Sequence, residues 1–305
     1  MSAFASMCIG PTDGGLTPSR LSRCLWSACS LRSYHAPPTP FFYFVDEQFP
    51  AAAARFLRLA LNATLLRSRR ALAWPASPRF PRAPRRAYTF HKLRAWLLGC
   101  FDRVLYFDPD VFFTADAAHF FAYTPLAAAH FPMDPAGAGH FNAGERRLAA
   151  GLMVIRPDAR ELARILATWR AGNFTAARGF SDLTDQDVLI AAFAGRVHPM
   201  RICDNFRGAH RPYHRQCNAT PALHNSFFAG RVSGELRRRG GPCGSPLRAA
   251  LRLAEAELSN NLTSQAHGYA FAPLDQLPEI WEDAKARKAL RRGRSQGRCS
   301  LGSLR

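Results

Sequence analysis

The amino-acid sequence predicts an α/β protein built on a sheet of mainly parallel strands. Short apolar segments typical of buried strands alternate with amphipathic helical segments in the part of the chain before Arg201. The chain has 305 residues, of which 48% are hydrophobic and 21% charged, which suffices for one large α/β domain, or two small ones, with a buried core. No uninterrupted apolar run reaches the roughly 18 residues expected of a transmembrane helix.

The individual elements follow from local apolar patterning and turn signals. Aromatic and apolar runs at 41–45 (FFYFV) and 103–107 (RVLYF) each stop at an aspartate, as buried strands bounded by turns do. The predicted strands are 3–10, 41–45, 71–74, 103–107, 111–113, 127–131 and 151–155. The predicted helices are 18–33, 50–66, 89–98, 157–169, 185–194 and 250–258.

The formal net charge of +19 raises the question of nucleic-acid binding. Only Lys92, Lys285 and Lys288 among the 41 basic residues are lysines, and the arginines are scattered rather than set on one helix face. No aromatic-plus-basic RNA motif accompanies them. A solvated basic surface therefore explains the charge better than nucleic-acid binding, which ranks last among the function classes.

The cysteines and asparagines bear on the cellular compartment. Eight cysteines occur without a C-x-x-C pair, which argues against a zinc ribbon and leaves disulfides open. About one N-x-S/T sequon is expected by chance, whereas four occur, at Asn62, Asn173, Asn218 and Asn261. The N-terminus (MSAFASMCIG) lacks the regions of a signal peptide, so either the start is missing or the sequons are accidental. The sequons favour the secretory pathway, in the Golgi or ER lumen, over the cytoplasm.

Asp108 and Asp110 form the motif with the most specific chemistry. Nine of the fourteen aspartates lie between residues 102 and 187, and this pair directly follows the predicted strand 103–107. Carboxylates two residues apart can reach one hard cation, and Mn²⁺ or Mg²⁺ commonly keeps positions open for substrate phosphates. Open α/β sheets bind ligands at the C-terminal ends of their strands. The alternative is a solvated turn centred on Pro109.

The sequence around this pair resembles glycosyltransferase family 8, the glycogenin-like retaining enzymes. In that family a "KL..W" helix leads to "VLYLDAD", an apolar run and a "D…LF" element. The residues that match in order and spacing are Thr89, Lys92, Leu93, Trp96, Asp108, Asp110, Asp116, Phe120 and Phe121. The resemblance continues through 128–134, 141–144, 151–157 and 185–186. It covers roughly residues 3–230, and its specific part is 89–190.

The resemblance implies a GT-A fold, a Rossmann-like nucleotide-diphospho-sugar transferase fold with a mixed, mainly parallel central sheet. It also implies a UDP-sugar donor and Mn²⁺ or Mg²⁺, with Asp108 and Asp110 holding the metal and the metal holding the diphosphate. A divalent ion stabilises the charge that develops on the departing nucleoside diphosphate. Lys92 would be a second cation near the phosphates; the alternative is an ordinary exposed helix residue.

Three further residues match the family's sugar-binding elements. Asp185 and Gln186 match a "DQ" element that faces the sugar and the reacting carbon, although Asp185 is also placed as a helix N-cap. Asn142 matches the "FN(S/A)G" segment that contacts the sugar. In relatives this segment runs straight into a strand, whereas here residues 145–150 intervene and Ala149-Ala150-Gly151 precede the strand. This departure puts the sugar-contacting role of Asn142 in question.

His224 is the best match to the family's third metal ligand, the histidine of "H(F)xGxxKPW". Neutral imidazole suits Mn²⁺, and His210 and His214 are nearby competitors for this role. No Lys-Pro-Trp follows His224, so a usual diphosphate contact is missing and Arg231 is the candidate replacement.

These observations lead to a domain organisation and two leading hypotheses. We expect a GT-A domain at 1–235, a helical or irregular extension at 236–290 and a basic tail at 291–305. The first hypothesis is a Mn²⁺-dependent hexosyltransferase that moves a sugar, with retention, from a UDP-sugar to a glycan, protein or small-molecule acceptor. The alternative is a catalytically degenerate GT-A module that binds nucleotide or glycan without turnover. A homodimer stays open, and no nucleic-acid partner is expected.

Overall fold

The computed structural model of the chain describes the sheet and the helices that surround it. The described residues are 1–10, 16–36, 38–46, 48–68, 87–130, 148–172, 185–207, 217, 220–224 and 229–262. Asn142, the predicted strand 71–74 and the expected basic tail at 291–305 lie outside these ranges.

Strands and helices alternate along the described residues, as the sequence predicts. The strands are Ser2–Cys8 (β1), Phe41–Asp46 (β2), Ala63–Ser68 (β3), Arg103–Phe107 (β4), Val111–Phe113 (β5), Ala127–His130 (β6), Leu148–Ile155 (β7), His198–Pro199 (β8), Phe206–Arg207 (β9) and Ala222–His224 (β10). The α-helices are Pro18–Tyr34 (α1), Ala51–Leu59 (α2), Ala159–Ala171 (α3), Asp185–Ala192 (α4), Ala229–Arg239 (α5) and Ser245–Leu262 (α6). Shorter 3-10 helices cover Ala87–Leu97, Ala118–Ala122, Ile202–Asn205 and Gly241–Cys243.

The central sheet has seven strands in the order β3-β2-β1-β4-β7-β6-β8. Strands β3, β2, β1 and β4 pair parallel with one another, whereas β7 runs antiparallel to both β4 and β6. The pairing of β6 with β8 is again parallel. The expected α/β class with a mixed, mainly parallel sheet is therefore confirmed.

A second, three-stranded sheet has the order β5-β10-β9. Strand β10 pairs antiparallel with β5, so that His224 lies opposite Val111. Strand β9 pairs parallel with β10 on its other side. This small sheet brings a distant segment of the chain to the residues that follow β4.

Two hydrophobic layers cover the two faces of the central sheet. Alternate residues of β4 point to opposite faces, as the pleat of a strand requires. Leu105 and Phe107 belong to the layer that contains residues of α1, α2 and α6, whereas Val104 and Tyr106 belong to the layer that contains residues of α3 and α4. The strand is thus buried on both faces, which explains its nearly continuous apolar sequence.

The predicted helix at 50–66 is wrong in its second half. Helix α2 ends at Leu59, and Ala63–Ser68 forms strand β3, which pairs with β2 at the edge of the sheet. Between them Asn62 has a φ of 48°, in the left-handed region that asparagine tolerates better than most residues. The apolar run therefore continues across a turn, and its composition alone does not reveal the change from helix to strand.

Disulfides tie the helices to the sheet and to the C-terminal segment. Three pairs have both cysteines among the described residues, namely Cys8–Cys24, Cys29–Cys243 and Cys203–Cys217, and Cys100 is disulfide-bonded as well. Among the described residues every cysteine is disulfide-bonded. In the same part of the chain, no helix has the length and apolarity needed to cross a membrane.

Candidate metal centre

The turn between β4 and β5 carries the two candidate carboxylates. The backbone N–H of Asp108 donates to the carbonyl of Gly151 at 2.7 Å, and the N–H of Val111 donates to the carbonyl of Asp108 at 3.0 Å. These bonds close a tight turn around Pro109 and hold it against β7. The Asp108 and Asp110 side chains keep 19% and 34% of their surface exposed, so both can reach a ligand from solvent.

His224 approaches the same turn from strand β10. Its side chain is buried, and its Nε2 lies 3.6 Å from an Asp110 carboxylate oxygen. One ligand atom from each of Asp108, Asp110 and His224 lies within 4.8 Å of the other two. The structure thus places His224 at the candidate centre. The two other histidines considered from sequence, His210 and His214, lie outside the described residues.

Gly151 on β7 leaves the space in which this group assembles. A Cβ at this position would overlap Cε1 and Nε2 of the His224 ring and lie 3.1 Å from Asp108 Oδ2. A glycine is therefore required for the imidazole to reach the carboxylates. Our sequence analysis missed this role, because only the strand pairing shows which side chain Gly151 faces.

Lys92 lies beneath the candidate centre. Its side chain is 2% exposed, and its ammonium group is 3.1 Å from Asp108 Oδ2 and 2.7 Å from Asp185 Oδ2. It also donates to the carbonyl of Ala150 at 3.2 Å. Burial disfavours the ammonium ion, but the two carboxylates outweigh this effect and raise the pKa of Lys92 above its usual value. The alternative of an exposed helix residue is therefore wrong.

Tyr106 fixes the other oxygen of Asp108. Its hydroxyl donates to Asp108 Oδ1 at 2.7 Å. Burial, together with the negative charge of Asp108, raises the pKa of Tyr106 well above its ordinary value, so the hydroxyl stays protonated as a donor. Asp108 is thus held from both sides, by a phenol and by an ammonium group, and its orientation is set before any ligand binds.

Asp185 and Gln186 stand at the start of helix α4, next to the same group. Burial raises the pKa of Asp185, and the attraction of Lys92 opposes this rise. The Gln186 amide oxygen accepts a bond from the N–H of Ala150 at 3.4 Å. Asp185 therefore contacts Lys92, which also binds Asp108, and Gln186 contacts strand β7 next to Gly151.

Strand β7 begins earlier than the predicted strand 151–155. Ala149, Ala150 and Gly151 belong to the strand, and the two alanines are buried. The expectation that these three residues precede the strand is therefore wrong, because the strand begins at Leu148. Asn142 and the burial of the Arg231 side chain lie outside what the structure describes.

The donor set fits a divalent cation. Two carboxylates and one imidazole converge from the β4–β5 turn and from β10, and the missing side chain at Gly151 leaves room beside them. Carboxylate oxygens with an imidazole nitrogen suit Mn²⁺, and Mg²⁺ less well because it prefers oxygen alone. The centre also lies at the C-terminal end of β4, where the sheet changes from parallel to antiparallel pairing.

The fold is the GT-A fold of glycosyltransferases. The galactosyltransferase LgtC, solved with donor and acceptor sugar analogues, aligns with a TM-score of 0.55 and 17% identity over 77% of this chain and 94% of its own. The bifunctional glycosyltransferase WbbM in its apo form aligns with a TM-score of 0.54 and 12% identity, over 82% of this chain and 51% of its own. Apo GlyE of Streptococcus pneumoniae TIGR4 aligns with a TM-score of 0.52 and 15% identity, over 89% and 65%.

At these identities the likeness establishes the fold alone. No model of a known protein family matches the sequence, and no curated protein matches it either.

We predict that Gly151→Ala weakens Mn²⁺ binding by about tenfold or more, because the new methyl group displaces the His224 ring. Gly99→Ala is the matched control, since a Cβ at Gly99 meets nothing within 4 Å. Titration calorimetry with Mn²⁺ measures both variants against the wild type. Unchanged affinity in Gly151→Ala would show that His224 does not take part in the site.

Proposed function

We propose that the protein is a divalent-metal-dependent glycosyltransferase of the family 8 kind. In this proposal it moves a hexosyl group from a UDP-sugar to an acceptor with retention of configuration. The observation that carries it is the convergence of Asp108, Asp110 and His224 at the C-terminal end of β4, in a GT-A fold. The donor and acceptor sugar analogues bound in the LgtC structure support a sugar-transfer role at this fold.

Asp108, Asp110 and His224 would hold the cation. Mn²⁺ or Mg²⁺ bound there would supply Lewis-acid stabilisation of the charge on the departing nucleoside diphosphate. Lys92 contributes a positive charge next to Asp108, and its hydrogen bond orients that carboxylate. Preorganised charge of this kind is effective because it needs no rearrangement during the reaction.

Asp185 and Gln186 would stabilise the sugar as the glycosidic bond breaks. Asp185 is buried and paired with Lys92, so its carboxylate is held in place and shielded from the solvent with which a general base would exchange protons. A retaining reaction fits this arrangement, because the departing phosphate oxygen takes the acceptor proton on the same face of the sugar. An inverting enzyme needs a separate base on the opposite face.

A degenerate GT-A module that binds without turnover is the second candidate. Two departures from the family favour it, namely the alanines at the start of β7 and the absence of Lys-Pro-Trp after His224. A donor screen separates the two candidates. UDP-, GDP- and CMP-sugars are incubated with the protein and Mn²⁺, with a chelator control, and nucleotide release is followed. Metal-dependent release supports the transferase, and binding without release supports the degenerate module.

We also propose that the protein resides in the lumen of the secretory pathway. The disulfides of the described residues need an oxidising compartment. The sequon asparagine Asn62 is exposed at the turn between α2 and β3, where an oligosaccharyltransferase can reach it.

The lumenal assignment predicts a glycosylated protein. Expressed with a signal sequence in a eukaryotic host, the protein should lose mass on glycosidase treatment, and Asn62→Gln should remove one glycan from that loss. Mass spectrometry checks both results. Native protein that fractionates with the cytosol and shows no mass shift would contradict the assignment.

We predict that Asp110→Asn abolishes Mn²⁺-dependent UDP binding and leaves the fold intact, because it removes one of two anionic metal ligands. Asp102→Asn is the matched control, since that carboxylate is 82% exposed and lies outside the centre. Calorimetry with UDP and Mn²⁺ measures the binding, and circular dichroism checks the fold. If Asp110→Asn binds UDP as the wild type does, the metal assignment is wrong.

A further prediction concerns the step at the anomeric carbon. Asp185→Asn should lower turnover by about 100-fold and leave donor binding near normal, because the lost charge acts mainly in the transition state. Asp158→Asn tests the N-cap alternative, since the Asp158 side chain is the N-cap of helix α3 rather than of helix α4. If both substitutions lowered turnover by the same small factor, Asp185 would act only as a helix cap.

Product stereochemistry tests the same mechanism. An α-linked donor should give an α-linked product, which NMR identifies from the anomeric coupling. A β-linked product would overturn both the retaining mechanism and the assignment to the family 8 kind.

A further inference from the structure

We propose that Asn205 is a positioning residue that sets the tautomer and orientation of His224. In this inference the Asn205 side-chain oxygen accepts the Nδ1 proton of His224, so that the Nε2 lone pair faces the metal centre. The inference rests on the metal site of the proposed function, which it extends to a residue outside the ligand set. Nothing in the sequence resemblance points to Asn205.

The geometry of the pair carries the inference. Nδ1 of His224 lies 3.1 Å from Oδ1 of Asn205, while Nε2, on the other side of the ring, faces Asp110 at 3.6 Å. A neutral imidazole carries its proton on one nitrogen and offers a lone pair on the other. An acceptor at Nδ1 therefore selects the tautomer that can bind a cation through Nε2.

The Nδ2 group of the Asn205 amide also supports a role at the candidate centre. Asn205 is fully buried, and among the described residues its Nδ2 has no hydrogen-bond partner. A buried amide donor without a partner lowers stability. The unpaired Nδ2 thus lowers the stability of the fold, while the described hydrogen bond of the side chain goes to His224. This combination is expected of a residue that serves the site rather than stability.

The backbone around Asn205 is held from three directions. The 3-10 helix Ile202–Asn205 leads directly into β9, which pairs with the strand that carries His224. Asp204 is buried and binds both the Tyr123 hydroxyl and the guanidinium of Arg201. The Cys203–Cys217 disulfide anchors the same turn. Asn205 is therefore presented to His224 on a rigid support, as positioning requires.

Three variants of the full chain separate positioning from a merely structural role. Asn205→Leu removes the acceptor and keeps the approximate size, whereas Asn205→Asp keeps an acceptor and removes the unpaired donor. Thr168→Val is the control, because it removes a side-chain hydrogen bond to the Arg164 carbonyl in helix α3 and leaves the acceptor for His224 and its support in place. Thermal unfolding confirms that each variant is folded.

The first readout is the His224 tautomer in the metal-free protein, from long-range ¹H–¹⁵N NMR correlations at a pH where the ring is neutral. We expect the Nδ1–H form in the wild type, in Asn205→Asp and in Thr168→Val, and a shift toward Nε2–H in Asn205→Leu. The second readout is Mn²⁺ affinity by calorimetry. It should fall about 10- to 100-fold in Asn205→Leu and be retained in Asn205→Asp.

The two readouts decide between the inference and the proposed function. An unchanged tautomer in Asn205→Leu, or a loss of Mn²⁺ affinity in Thr168→Val as large as in Asn205→Leu, overturns the positioning role. If the tautomer responds as expected but the wild type does not bind Mn²⁺, Asn205 does orient His224 and the metal assignment fails instead. If Asn205→Leu does not fold, the Nε2–H form in the wild type or weaker Mn²⁺ binding by Asn205→Asp overturns the inference.

Discussion

The buried ammonium group of Lys92 is the interaction on which the candidate site depends. It binds carboxylates of Asp108 and Asp185 and the carbonyl of Ala150, and so joins a 3-10 helix, the end of β4, the start of α4 and strand β7. Two carboxylates brought together away from water without a cation would repel each other, and one would take up a proton. Removing one partner of such a buried group is far more damaging than replacing the whole group by apolar residues. The ammonium group thus allows Asp108 and Asp185, which have different proposed roles, to lie close together.

Elements of the fold could be predicted where the residues of the element itself determine its structure. Strands 103–107 and 111–113 have the predicted bounds, because each is a short apolar run closed by turn residues. The antiparallel direction of β7 was not predictable from its own residues, since apolar patterning carries no information on chain direction. The predicted helix 50–66 failed for a related reason. Alanine and leucine suit both a helix and a buried strand, and the turn between α2 and β3 is only the three residues 60–62.

A site residue could be predicted from the sequence when the feature that marks it lies next to it in the chain. Asp108 and Asp110 adjoin a strand in the sequence, so their shared position is visible there. His224 was reached only through the family resemblance, since it comes from another sheet. Gly151 lay in a segment that resembles the family but had no role assigned to it, and Asn205 had no signal at all. A glycine required by the ring of a distant histidine, or an amide that orients that ring, acquires its meaning only when strands β7, β9 and β10 are in place.

The Cys29–Cys243 bond encloses every residue of the candidate centre, from Lys92 to His224, in one covalent loop. A pulling force applied at the two ends of the chain would pass through this bond and bypass the loop. The centre is thus shielded from tension on the flanking segments, whatever those segments are attached to. For the same reason, a protease that cut the chain once within the loop would leave both pieces joined, and they would separate on a gel only after reduction.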